Sequence, residues 1–137
     1  MRSLWFIAHA LLENQQVQKN GVVTLLVPKE AGNESSNDPK IVRFIFRDLG
    51  ILPIRIQAFH HVLESQTLKF MRDITLFALG PSLRARYREH LVRVCDLAKE
   101  LEPYGIDADI LPADLGGTSD FNYESWLQAQ RDSSFER

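Results

Sequence analysis

Apolar residues near the start of the chain recur at helical spacing. Leu4, Ile7, Ala8, Leu11 and Leu12 fall three and four positions apart, the period of a helix with one buried stripe. The pattern predicts a helix to about Val17, ended or turned by Asn20-Gly21. The periodicity then stops. Val22-Val23-Thr24-Leu25-Leu26-Val27 has neither charge nor polar alternation, as expected of a strand buried on both faces in a helix-covered parallel sheet. Pro28 stops the pairing because it has no N–H to donate. Residues 29–38 read as a polar loop, and Asp38-Pro39 as an N-cap with proline in the first helical position. Ile41, Phe44, Ile45 and Leu49 then mark a buried stripe, and Gly50 suits a left-handed terminator.

Ile54-Arg55-Ile56-Gln57-Ala58-Phe59 alternates and predicts a second strand. Two strands joined by such a helix form a βαβ unit with a right-handed crossover. The next helical stretch spans about Gln66 to Leu79. Lys69, Arg72 and Asp73 share one narrow face, and Phe70, Met71, Ile74 and Phe77 cover the other. Leu76 falls within the polar stripe, with Leu68 and Leu79 at its border, so the helix is greasier than one-sided burial requires. Gly80-Pro81 interrupts it. A short helix is expected over Arg84 to His90, a strand over Leu91-Val92-Arg93-Val94 and a short helix over Asp96–Leu101. Beyond that the chain turns acidic and turn-rich, with no internal repeat.

Composition narrows the class. With 137 residues, 45% of them hydrophobic, one domain is expected, and it can bury roughly two-thirds of its unfolded surface without disulfide or metal support. The apolar fraction excludes intrinsic disorder, and no apolar run approaches the roughly 18 residues of a membrane span. A net charge of −2 argues against a nucleic-acid partner. The single Cys95 excludes an internal disulfide and any CxxC site, favouring a reducing, cytoplasmic compartment. Ala8-His9-Ala10 imitates a signal-cleavage site, but it sits inside the apolar stretch, where a helix fits better.

Catalytic constellations are sparse. His60-His61 cannot chelate one metal from a regular strand, because neighbours point to opposite faces, and a hydrogen-bonded sheet histidine is the plainer reading. Cys95 reads as a packed residue of an apolar strand. Asp107, Asp109 and Asp114 lack the glycine and distal glutamate of a calcium loop. Gly116-Gly117 lacks the lysine of a phosphate loop. No enzyme activity, metal or cofactor is expected. Charge is uneven: residues 84–93 carry Arg84, Arg86, Arg88 and Arg93 against Glu89, a net of +3. Residues 107–137 hold seven acids and two arginines, a net of −5. A basic cluster after a greasy helix suits a solvated face or an anionic membrane surface, where each cation contributes about 1 kcal/mol.

The order of these segments resembles the CRAL-TRIO lipid-binding family. Leu52-Pro53-Ile54-Arg55-Ile56-Gln57-Ala58-Phe59-His60 resembles its "YP-x-R-φ-x-x-φ-h" strand, and Gly80-Pro81-Ser82-Leu83 after an apolar helix resembles its "KPFL" turn. Ile110-Leu111-Pro112-Ala113-Asp114-Leu115-Gly116-Gly117 is similar to its closing "LP-x-E-φ-GG" signature, and Gln16–Val27 to its "Q-x-x-G-φ-φ-φ-φ" segment. Together they cover about residues 10 to 117.

The resemblance implies an α/β fold: a helix-flanked, mainly parallel sheet forming a lipid-binding pocket closed by a gate helix. The family includes carriers of phosphatidylinositol, tocopherol and retinoids. The gate would be Thr67–Leu79. The pocket would be lined by Ile54, Ile56, Ala58 and His60 from the strand and Phe70, Met71, Ile74 and Phe77 from the gate. In the tocopherol-transfer branch, basic residues at the positions of Arg55 and Arg86 bind phosphoinositide headgroups, and an arginine there aligns with His90.

Departures are Leu26-Val27-Pro28 in place of an aspartate-rich strand end, Cys95 in place of a glycine, and a stretch from His60 to Pro81 longer by about one helical turn. The family's N-terminal helices and first strand have no counterpart here, so residues 1–117 would form an N-terminally shortened domain, with 118–137 an acidic, aromatic tail. The expected function is binding and transfer of a lipophilic small molecule, with transient association with an anionic membrane. The rival is a protein-interaction domain that keeps the fold without the cavity, with a protein partner at the tail.

Overall fold

The computed structural model describes residues 2–27, 53–64 and 69–135. The first helix, α1 (Arg2–Glu13), ends earlier than its apolar periodicity predicts. Asn14 breaks it: the Asn14 backbone is extended, and its side-chain oxygen accepts from the N–H groups of Gln16 and Val17, starting α2 (Gln15–Asn20). An asparagine capping the next helix offsets the lost continuity. Gly21 then turns the chain at φ +80°, and a β-carbon there would collide with the Arg55 carbonyl, which instead accepts from Val22 N at 2.9 Å.

Strand β1 (Val22–Leu26) lies beside β2 (Ile56–Val62), which lies beside β3 (Tyr87–His90). The three form one parallel sheet in that order. The fold is therefore mixed α/β. Leu25 pairs with His60 and Leu26 with His61, and on the other side Phe59 pairs with Tyr87 and Val62 with His90. The helix predicted from Asp38-Pro39 to Gly50, the polar loop before it and Pro28 lie outside the described residues. β1 is only half-buried, with Val23 exposed, so it is not covered on both faces as its composition suggests.

After β2 comes α3 (Lys69–Ala78), then α4 (Pro81–Arg84) with Gly80 at its N-cap and proline in its first turn. The last carbonyls of α3 need partners once the helix stops. The Arg84 guanidinium supplies them, donating to the Leu79 oxygen at 2.8 Å and the Phe77 oxygen at 3.3 Å. The segment read as a helix over Arg84–His90 is a turn followed by β3, and Leu91–Val94 is not a strand. Its residues alternate instead: Tyr87 and Glu89 point towards α3, while His90 points to the opposite face, and that two-residue period is a strand's.

Two apolar clusters sandwich the sheet. On one face Phe59, Leu63 and Leu79 are buried, with Leu26, Ile74, Ala78, Leu83 and Tyr87 against them. On the other, Val62 meets Leu97 and Leu101 of α5 (Leu97–Leu101) and Leu111. Burial on both faces explains why β2 is the most hydrophobically enclosed strand. The Leu-Pro…Gly-Gly segment closes beneath α5. Gly117 donates to the Pro112 oxygen and Ser119 to the Leu111 oxygen, and a β-carbon on Gly117 would overlap the Leu111 carbonyl. The tail forms α6 (Tyr123–Phe135), which packs against α1.

Candidate functional site

The adjacent histidines of β2 point to opposite faces and meet different partners. On the α5 face, His60 Nδ1 lies 2.8 Å from His90 Nε2, and His90 Nδ1 lies 3.1 Å from Glu100 Oε1. The carboxylate can only accept, so His90 donates to it through Nδ1; with both imidazoles neutral, His90 Nε2 then accepts from His60 Nδ1. The two imidazoles stack at 5.1 Å, and the Tyr104 ring stands edge-on to both. Burial lowers the His60 pKa, and the neighbouring His90 and Arg88 lower it further. This is a hydrogen-bonded row anchored on a half-exposed glutamate. Among the described residues no group of three or more His, Cys, Asp and Glu side chains could hold a metal ion.

On the α3 face, His61 is fully buried, and its Nδ1 lies 2.9 Å from the Tyr87 hydroxyl. Burial drives the His61 pKa down to about 4 and raises that of Tyr87, with Glu89 adding to the rise. The imidazole is therefore neutral and the phenol keeps its proton at ordinary pH. A phenol donating to Nδ1 places the imidazole proton on Nε2. Among the described residues that Nε2 atom has no hydrogen-bond partner, nor does the hydroxyl of Thr75, which is also fully buried, on α3. Glu89, at the rim, faces Arg72 of α3 at 3.6 Å.

The residues expected to line one pocket are divided between these faces. Ile74 packs on Phe59 and Leu63, whereas His60 faces His90 and Tyr104 on the other side. Ile56 is buried, Ile54 and Ala58 are half-buried, and Phe77 is 74% exposed. The side chains of Phe70 and Met71 lie outside those described. A pocket floored by Ile54, Ile56, Ala58 and His60 beneath Ile74 is thus not assembled, because strand alternation sends Phe59, His61 and Leu63 to the helix instead.

The expected headgroup residues are also dispersed. Arg55 is exposed. The half-buried Arg86 guanidinium donates to the Ile56 oxygen at 2.6 Å, tying β2 to the turn before β3. His90 is 1% exposed and committed to His60 and Glu100. Of the other cations in the basic segment, Arg84 caps α3 and Arg93 pairs with Asp96 at 2.8 Å. Cys95 is exposed in a short 3-10 turn rather than packed in a strand.

His61, Thr75, Tyr87, Glu100 and Tyr104 were not singled out as site residues in the sequence. The usable signal was His61 at an odd position between Phe59 and Leu63, which places it on the face those two residues bury. A shallow open groove of about 390 Å³ runs between Pro112–Asp114 and Ser119–Glu124, beside exposed Phe121 and Tyr123. Among the described residues no helix is long and apolar enough to cross a membrane. The chain matches no family model and no curated protein.

Proposed function

We propose that this chain binds a lipophilic molecule in the layer between its sheet and α3 and exchanges it at a membrane surface. The observation carrying this reading is the two-sided apolar character of α3. Ile74 and Ala78 pack inward on Phe59 and Leu63, while Phe77 stands 74% exposed on the same helix. A helix that only roofs a core has no need of an outward phenylalanine, whereas one that moves into a bilayer can use it. The parallel β1-β2-β3 order with α3 between the second and third strands is compatible with the helix-covered sheet of a CRAL-TRIO-like carrier. Exposed Arg55 is the cation best placed to meet an anionic surface, since Arg86 and His90 hold the sheet together. Burying about twenty methylene groups would stabilise a bound lipid by roughly 16 kcal/mol gross, before the costs of ordering.

The test is transfer of a fluorescent lipid between vesicles by the wild-type chain and by Phe77→Asp. Wild type should accelerate transfer, and the variant should lose that acceleration while unfolding at the same denaturant concentration. Transfer that is not accelerated by wild type, or equal transfer by both, would refute the gate role. A second reading, a protein-interaction domain, is favoured by the groove of Pro112–Glu124 with Phe121 and Tyr123 exposed at its edge.

A further inference from the structure

The segment that enters α6 sets two carboxylates around two aromatic rings, Asp120-Phe121-Asn122-Tyr123-Glu124. Phe121 and Tyr123 stand 54% and 43% exposed. All five residues line one wall of the open groove, across from Pro112–Asp114. An exposed aromatic patch rimmed by polar groups marks a contact surface. The rings are also held in place. Trp126, half-buried one turn further along α6, stacks on Tyr123 at 6.1 Å and lies 6.4 Å from Phe121. Ser119 Oγ accepts from Phe121 N, and Asn122 Oδ1 accepts from Ser125 N. The facing wall is tied to the same segment, because Ser119 N donates to the Leu111 oxygen and Gly117 N to the Pro112 oxygen. A surface already fixed in its binding shape loses less entropy when a partner arrives.

Electrostatics selects that partner. No lysine, arginine or histidine lines the groove. Among the described residues neither Asp120 nor Glu124 has an ion-pair partner. A phosphate-bearing surface, membrane or nucleic acid, would be repelled by these carboxylates. The match is a cation with a flat face, able to stack on the rings while hydrogen-bonding the carboxylates. Among side chains that is arginine: its planar guanidinium does both, whereas the lysine ammonium is a compact, strongly hydrated charge. The basic segment of a second copy is poorly suited, because Arg84, Arg86 and Arg93 are engaged within their own chain. Resting on the protein-interaction reading of this groove, we infer that it docks an arginine-bearing basic segment of another protein. The groove shares no residue with the apolar layer beneath α3, so it serves that partner whether or not the layer holds a lipid.

The test is fluorescence anisotropy of labelled peptides titrated with the full chain. The peptides alternate alanine with arginine, lysine, glutamine or glutamate. The arginine peptide should bind most tightly, more weakly as salt rises, and the glutamate peptide should not bind. Tyr123→Ser should weaken arginine-peptide binding about two- to fivefold, the scale of one exposed cation–ring contact, and Tyr123→Phe should restore it. Asp120→Asn combined with Glu124→Gln should weaken binding by a similar factor and flatten its salt dependence. Arginine binding no tighter than lysine or glutamine binding, or unchanged in both Tyr123→Ser and the double variant, would overturn the proposal while leaving a protein-interaction surface. Binding of none of the peptides by the folded chain would overturn that reading as well. Wild type sedimenting as a dimer that Tyr123→Ser dissociates would assign the groove to a second copy instead.

Discussion

Lowering the pH should destabilise the protein through His61, and the size of the effect follows from its burial. The imidazole is fully buried beside the Tyr87 ring, with a pKa lowered from 6.5 to about 4 because the charged form loses its hydration. In the unfolded chain His61 takes up a proton as the pH falls through 6.5, whereas in the folded chain it stays neutral until about 4. The unfolded state binds more protons throughout that window, so stability falls as the pH drops across it and is fully retained above it. Between pH 7 and pH 5 the loss through this one residue is about 2 kcal/mol. Other groups titrate in the same range, His60 among them, so the comparison must isolate His61. His61→Gln keeps a side-chain acceptor for the Tyr87 hydroxyl but cannot titrate. In urea unfolding at both pH values, wild type should lose about 2 kcal/mol more than His61→Gln. If the two lose the same amount, the buried neutral imidazole is wrong.

Two further outcomes follow from the fold. Arg86→Ala removes the guanidinium that bonds the Ile56 oxygen and should lower unfolding stability by about 1–3 kcal/mol, read by urea denaturation, while Arg55→Ala leaves it nearly unchanged. Equal effects would mean that Arg86 does not tie β2 to β3. Gly21→Ala places a side chain at φ +80° against the Arg55 carbonyl. It should cost at least about 1–3 kcal/mol from backbone strain alone and loosen the start of β1, seen as faster amide exchange at Val22; unaltered exchange and stability would contradict the turn.

Local patterning carried much of the architecture, because burial and alternation are written in neighbouring residues. β1, the start of β2, α3 and the helix at Leu97–Leu101 were all legible from period and composition. β2 ran further than its alternation suggested because His60 and His61 look polar in sequence, and only their distant partners His90 and Tyr87 make them acceptable inside a sheet. The same cause hid β3. Arg84, Arg86 and Arg88 resemble a solvated helix until Arg84 is seen closing α3 and Arg86 bonding β2. The candidate site was legible only in part. Strand alternation separated the two histidines correctly, but which face met the helix depends on long-range packing. Thr75, which looks like an ordinary helix residue in sequence, becomes notable only once it is buried without a partner among the described residues.

The central claim, that a lipophile occupies the layer under α3, is tested most directly by native mass spectrometry of the full chain purified without detergent, followed by extraction and identification of any released lipid. One lipid per chain is expected, lost when α3 is disrupted by Ile74→Asp. A folded wild-type chain with the mass of its polypeptide alone, and no extractable lipid, would contradict it.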